Sequence, residues 1–180
     1  GYELYVLVPC LNEALVIGAT VERLLDEPGA HIVVIDDGST DATGAQALAA
    51  ADRRGARDRV HLLRRDLPQA QQGKGAALNA GLEYVRAQVA LSGGEVDHTV
   101  ICVMDADGRL SPGAAAGALA CFANQRVGGA QLVVRIRNRD KWITKFQDVE
   151  FWMISACAQF ARIVTGTVSL GGNGQFTRLR

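Results

Sequence analysis

The chain has 180 residues, nineteen of them basic and nineteen acidic, so its formal net charge at neutral pH is zero. That balance provides no sequence-wide attraction to nucleic acid, and no uncharged apolar run reaches the roughly 18 residues that a spanning helix needs. Hydrophobic residues make up 48% and charged ones 21%, which excludes a disordered chain and fits a single domain with a sizeable core.

In chain order, four short apolar runs read as strands: Leu4 to Val8, His31 to Ile35, Val60 to Leu63 and Thr99 to Met104. They are continuous rather than alternating, as strands covered on both faces are. Helical patterns lie between them, at Asn12 to Leu25, Asp41 to Arg54 and Lys74 to Ala90, the last running into the loop SGGEVD. This order predicts a doubly wound α/β fold, a mostly parallel sheet with helices on both faces and ligands at the carboxyl ends of the strands. After Pro112 an Ala-rich helix is expected over Gly113 to Asn124, and AQLVVRIRNR reads as a strand with one wet face. A long apolar helix follows, from Lys141 to Val164, either packed on the core or lying along a surface. The stretch SLGGNGQFTR reads as a Gly-rich turn. The first residue is not Met and the chain stops at TRLR, which predicts a fragment of something larger.

Cys10, Cys102, Cys121 and Cys157 form no CxxC pair, and are read as buried free thiols in a reducing compartment. His31, His61 and His98 fall where strands begin, without metal-ligand spacing, and carry no assigned chemistry.

If the four strands are parallel, the segments VPCLNE, DDGSTD, RRD and DADG all emerge at one edge of the sheet. Glu13, Asp36, Asp37, Asp105 and Asp107 would then converge, and such a cluster repels itself unless a cation or hydrogen-bond donors offset it. In DDGSTD, Ser39 or Thr40 is expected to cap the following helix, with Gly38 making the turn. Capping leaves two acids before it unexplained. A carboxylate at a strand end accepts hydrogen bonds from a uracil or guanine N–H and from ribose hydroxyls. DADG is either an Asx-type turn or a pair of ligands for one hard cation, Mg²⁺ or Mn²⁺, with water and diphosphate oxygens completing the coordination. An EF-hand is excluded, because the DxDxDG run and closing Glu are missing. QQGKGAALNAG lacks P-loop spacing, but the glycines beside Lys74 allow close backbone approach at a helix N-terminus, where anions are favoured. The alternative for Lys74 is a solvated helix face.

Taken in order, VPCLNE, DDGSTD, GKGAALNAG, DADG and GGNGQFTR resemble the family 2 glycosyltransferases of GT-A fold, the group of the cellulose, chitin and hyaluronan synthases. The resemblance covers almost the whole chain. It implies a single GT-A domain, Rossmann-like, with a nucleotide-binding half over residues 1–112 and the start of a sugar and acceptor half over 113–180. It also implies transfer, with inversion, from a nucleotide-sugar donor, most readily a UDP-sugar, to a saccharide or other hydroxyl acceptor, as in polysaccharide synthesis. Pro9 and Glu13 would flank the nucleoside, and Asp37 would hold the base. Lys74 would lie near the nucleotide, Asp105 near the ribose or metal, and Asp107 would ligate the Mg²⁺ or Mn²⁺. Gly172, Asn173 and Gly174 would form the sugar and acceptor wall.

The family's catalytic base lies in an ED or TED motif after the Gly-rich segment, so it is expected beyond Arg180. Asp148 and Glu150 of QDVEF precede that segment and are not assigned the role. The Q/RxxRW motif of processive members is absent from these residues. Relatives with spanning helices on either side of a cytosolic domain imply the cytoplasmic side, with membrane association through segments outside this chain. Two other readings remain open. One is a non-catalytic nucleotide-sugar-binding module. The other is a phosphatase of haloacid dehalogenase type, which also presents DxD at a strand end. That chemistry wants a later strand-end Ser or Thr, then a Lys and an acid pair. Here the acid pair comes first, and Lys141 and Lys145 follow no such hydroxyl.

Overall fold

The computed structural model describes residues 1–133 and 164–180, together with residues 142, 149, 153, 157 and 159–162. Its elements are β1 (Glu3–Cys10), α1 (Ile17–Leu24), β2 (Ala30–Asp36), α2 (Thr43–Arg53), β3 (Val60–Arg64), α3 (Lys74–Ser92), β4 (Thr99–Val103), α4 (Ala114–Cys121), β5 (Gly129–Gln131) and β6 (Gln175–Arg178). They build one six-stranded sheet in the order β3-β2-β1-β4-β6-β5. β1 to β4 are mutually parallel, whereas β6 runs antiparallel to both β4 and β5.

The continuous apolar runs bury both sheet faces because successive side chains point to opposite sides. From β1, Val6 and Val8 enter a layer with Ile17, Val21 and Leu24 of α1, Ala47 of α2 and Phe122. Tyr5 and Leu7 face the other way, into a layer with Ala77, Val85 and Val89 of α3. The spacing Ile17, Val21, Leu24 is the apolar stripe of an amphipathic helix. Gly81 lets α3 lie close on the sheet, since a Cβ there would meet Ile35 Cδ1 at 2.4 Å.

Three boundaries differ from the sequence reading. The first helix starts at Ile17, not Asn12, because Asn12 takes the left-handed φ of 57° and the backbone N–H groups of residues 12–14 are bonded across to the β2–α2 turn. α2 starts at Thr43 without a side-chain cap, so neither Ser39 nor Thr40 caps it. The Ala-rich helix is the shorter α4.

A larger difference is β6, expected as part of a turn. Its strand character comes from alternation, with Phe176 and Arg178 buried. Arg178 donates from Nη1 to Asp97 O at 2.5 Å and from Nη2 to Phe122 O at 2.9 Å, and its guanidinium lies over the rings of Tyr2 and Phe122. These carbonyl acceptors and aromatic faces offset part of the hydration that a buried cation loses, with Arg178 Nε left without a hydrogen-bond partner among the described residues.

Cys10 and Cys102 are buried, and burial pushes the Cys10 thiol up to about 12 and the Cys102 thiol further up. Cys121 and Cys157 are exposed, which corrects the expectation of four buried thiols. The far half of the AQLVVRIRNR strand, most of the helix expected over 141–164, Asp148, Glu150, Lys141 and Lys145 lie outside the described residues. Those described between 142 and 164 are helical, and Trp142, Val149, Met153, Phe160 and Val164 are exposed. Among the described residues no helix is long and apolar enough to cross a membrane.

Phe176 is fully buried on β6, so Phe176→Ala removes a large side chain that its neighbours cannot replace. The expected loss of stability is about 3–5 kcal/mol, read as a lower urea midpoint.

Candidate functional site

The parallel register brings the carboxyl ends of β1 to β4 to one edge. Pro9 pairs with Ile35 and Cys10 with Asp36, and Asp37 N–H donates to Cys10 O at 2.9 Å. The end of β1 and the acids of β2 therefore stand side by side. Asp36 pairs with Arg64 at the end of β3, and Asp37 pairs with Arg65 just beyond it.

The acids do not form the self-repelling cluster that the sequence suggested. Asp36 meets Arg64 Nη1 at 2.6 Å, Asp37 meets Arg65 Nη1, and Asp105 meets Lys74 Nζ at 2.5 Å. Among the described residues no group of three or more His, Cys, Asp or Glu side chains is placed to hold a metal. The basic residues of RRD offset the two acids of DDGSTD through their charge and donor geometry. Asp36 also accepts from Ser39 N–H at 2.9 Å.

A second network joins the segment after β1 to the turn after β2. Asn12 N–H donates to Ser39 Oγ at 2.9 Å, and Asn12 Oδ1 accepts from Thr40 N–H at 2.9 Å. Glu13 N–H donates to Thr43 Oγ1 at 2.8 Å. Asp41 accepts from Ala14 N–H at 3.1 Å and from Thr43 N–H and hydroxyl, and these bonds hold its carboxyl below the usual carboxylate range. Glu13 and Pro9 are half-buried at this border.

The DADG turn closes with Gly108 N–H donating to Asp105 O at 2.9 Å. Buried Thr20 of α1 donates to Ala106 O at 2.7 Å and so fixes the turn from beneath. Asp105 is half-buried and Asp107 exposed, which leaves the turn's carboxyl groups within reach of solvent. Two hard oxygen donors in one turn fit a hard divalent cation that takes its other ligands from water and phosphate. Lys74, the first residue of α3, offers a cation beside them.

The Gly-rich segment reaches the same place. Gly174 N–H donates to Val103 O at 2.8 Å, and Asp105 N–H donates to Asn173 Oδ1 at 3.4 Å. A Cβ on Gly172 would lie 3.8 Å from Lys74 Nζ. Gly172 and Gly174 have φ of 79° and 69°, so their glycine identity is a conformational requirement. Lys74, Asp105, Asp107 and Gly172 to Gly174 thus meet at one end of the edge, and Pro9, Glu13, Asp36, Asp37, Arg64 and Arg65 at the other. The sequence reading passed over Asn12, Thr20, Arg64 and Arg65. The signal for the two arginines was present, as two adjacent cations at a strand end opposite two adjacent acids.

Two outcomes follow from this edge. The Asp37 and Arg65 side chains are each about 10% exposed, so Asp37→Leu alone leaves a mostly covered guanidinium without its carboxylate and should cost up to about 3 kcal/mol. The double change Asp37→Leu with Arg65→Met should recover most of that loss in urea unfolding, and additive losses would show that the two do not act as a pair. Because Asp41 has a lowered folded-state pKa, its stabilising effect is present above the ordinary carboxylate range and is lost as pH falls through the folded value. Comparing urea midpoints of the chain and Asp41→Asn should show a difference at neutral pH that narrows on acidification.

The sequence and the fold have counterparts among known proteins. A polyprenol monophosphomannose synthase of Mycolicibacterium smegmatis is 38% identical over 110 residues, which is 59% of this chain and 36% of that protein. The chain therefore spans about a third of the length of that curated relative. A mannosyltransferase from Pyrobaculum calidifontis, solved with GDP-Man and Mn²⁺, superposes with a TM-score of 0.60 at 25% identity, over 77% of this chain and 37% of its own. Glucosyl-3-phosphoglycerate synthase from Mycobacterium tuberculosis, solved with Mn²⁺ and UDP-glucose, shares the fold with a TM-score of 0.59 at 19% identity, over 99% of this chain and 57% of its own. The model of glycosyl transferase family 2 matches residues 5–177, nearly the whole chain, and the chain belongs to that family.

Proposed function

We propose that this chain carries the donor-binding part of an enzyme that moves a sugar from a nucleoside-diphosphate sugar to an acceptor, assisted by Mg²⁺ or Mn²⁺. The observation that carries the reading is the convergence of Asp37, Lys74, Asp105, Asp107 and the 171–174 loop at one sheet edge. Family membership sets the phosphatase alternative aside.

In this reading Pro9 and Glu13 border the nucleoside, and Asp37, held by Arg65, accepts from the ring N–H of the base. Uracil and guanine both offer that N–H, so a UDP-sugar and a GDP-sugar suit Asp37 alike. The GDP-Man in the mannosyltransferase structure supports the second, and the UDP-glucose in the synthase structure accompanies the same fold. Lys74 lies near the diphosphate, and Asp105 turns toward ribose and metal. The metal, held by Asp107 with Asp105, would offset charge on the departing diphosphate. Gly172, Asn173 and Gly174 line the sugar, and the two glycines, at φ of 79° and 69°, present backbone without side chains to it. Attack from the face opposite the diphosphate gives inversion and needs a general base. None of the acids at this edge is proposed for that role.

The acceptor is a saccharide or other hydroxyl in the polymer-synthase reading. The relative named as a polyprenol monophosphomannose synthase favours a second class, a polyprenol phosphate, whose oxygen would attack in place of the hydroxyl.

Calorimetry with UDP and with GDP, each with and without Mn²⁺, tests the reading on the chain and on Asp107→Ala. Metal-dependent binding of one nucleotide is expected, weakened at least about tenfold, or 1.4 kcal/mol, by the substitution. Binding of GDP alone would move the base assignment from uracil to guanine. Failure to bind either would sink the donor-site reading.

A further inference from the structure

The 171–174 loop is held by a side chain that no motif marks. Gln131, the last residue of β5, is half-buried and pairs in register with Gln175 of β6. Its Oε1 accepts from Gly171 N–H at 2.8 Å, while its Nε2 donates to Asn173 O at 2.8 Å and to Leu132 O at 2.9 Å. One primary amide thus satisfies a donor and an acceptor two residues apart in the loop, as a neighbouring strand would. Leu132 N–H donates to Gly174 O at 2.9 Å, so the backbone after Gln131 closes the other end. Farther back, Ser169 is gripped in the same reciprocal way by Gln159, with Nε2 to Ser169 O at 2.7 Å and Ser169 N–H to Oε1 at 3.2 Å.

The consequence lies in what the held loop aims. Asn173 stands between the Gln131 amide on its carbonyl side and Asp105 N–H on its side-chain side. Gly172, between the two clamped positions, lies beside Lys74. Glycine-rich backbone is costly to order, so a loop of this composition needs external bonds to keep one geometry. The geometry points to Gln131 as a positioning residue: its amide fixes Gly171 and Asn173, and thereby sets the sugar-facing wall against the Lys74–Asp105 pair. This inference rests on the donor-site reading above. It deepens that reading by separating residues that bind the nucleotide from one that governs the sugar.

Gln131→Glu is the informative change because it keeps shape and keeps the acceptor for Gly171 N–H. It places a carboxylate oxygen, which cannot donate, against the carbonyls of Asn173 and Leu132. Gln131→Met, similar in length and without an amide, guards against a variant that does not fold, and thermal unfolding checks both. The affinities of UDP, GDP, UDP-glucose and GDP-mannose are measured with Mn²⁺ on the full chain. The quantity read is the ratio between a nucleotide sugar and its own nucleotide. Nucleotide affinity should stay within about twofold, while the sugar's share of affinity falls about tenfold with two hydrogen bonds lost. A merely structural role would change both affinities together. If nucleotide still binds and the ratio is unchanged in both variants, or if the unsubstituted chain shows no sugar contribution, the role of Gln131 is refuted alone. If the unsubstituted chain binds no nucleotide, the donor-site reading fails and the positioning role goes with it.

Discussion

Parallel pairing of four consecutive strands forces their carboxyl ends to a common edge, and this constraint shapes everything chemical in the molecule. Any polar residue that follows one of those strands is brought within reach of those following its neighbours. The edge must therefore be electrostatically balanced before any ligand arrives. Asp36 and Asp37 sit at the end of a strand whose members are buried except for half-buried His31, where an uncompensated carboxylate would be expensive. The arginines come from the adjacent strand at the matching register, Asp36 opposite Arg64. Arg64 then reaches Ser39 O and Arg65 reaches Gln69 O, so each cation also fixes a loop. Charge balance and loop order are achieved by the same two side chains.

The first half of the fold was legible because its signals are local. Continuous apolar runs announced β1 to β4, and the Lys74 start of α3 coincides with the sequence expectation. The edge location of Asp37 and Asp105 followed from strand direction, whereas Lys74 and the Gly-rich loop were brought to the site only by what the family resemblance implies. What stayed hidden depends on contacts between segments far apart in the chain. QFTR is too short and polar to read as a strand until Phe176 and Arg178 are seen to face inward. Asn12 looks like a helix residue until its left-handed backbone and its bonds to Ser39 and Thr40 are known. The mutual offset of acids and arginines was hidden for a different reason. A list of acids suggests repulsion, and only register shows which acid faces which cation.

The two added strands explain how a nucleotide-type sheet acquires a second wall. β6 runs antiparallel beside β4, so its start lies at the edge where β4 ends, and the Gly-rich segment before it arrives next to DADG. Gly174 N–H bonding to Val103 O continues the pairing one step beyond the strand. The antiparallel direction is what makes this possible. A parallel β6 would have put its preceding loop at the opposite end of the sheet, far from Lys74 and Asp105.

The same geometry separates rigidity from adaptability along the edge. At the β2 and β3 side, buried Asp37 and half-buried Arg65 are bound to each other, while residues 12–14 are tied to residues 39–43. At the β4 and β6 side, Lys74 and Asp105 are half-exposed, Asp107 is exposed, and the facing loop is glycine-rich. A cation that takes its remaining ligands from phosphate oxygens needs carboxylates that solvent can reach. Such an exchange also requires Lys74 to give up Asp105 or share it with the incoming anion, which a solvated ammonium on a flexible stem does at little cost. A base-recognising carboxylate has the opposite requirement, because its direction must be fixed before the base arrives. Burial of the one pair and exposure of the other thus match what the proposed base-binding and metal-binding tasks of the two ends would require.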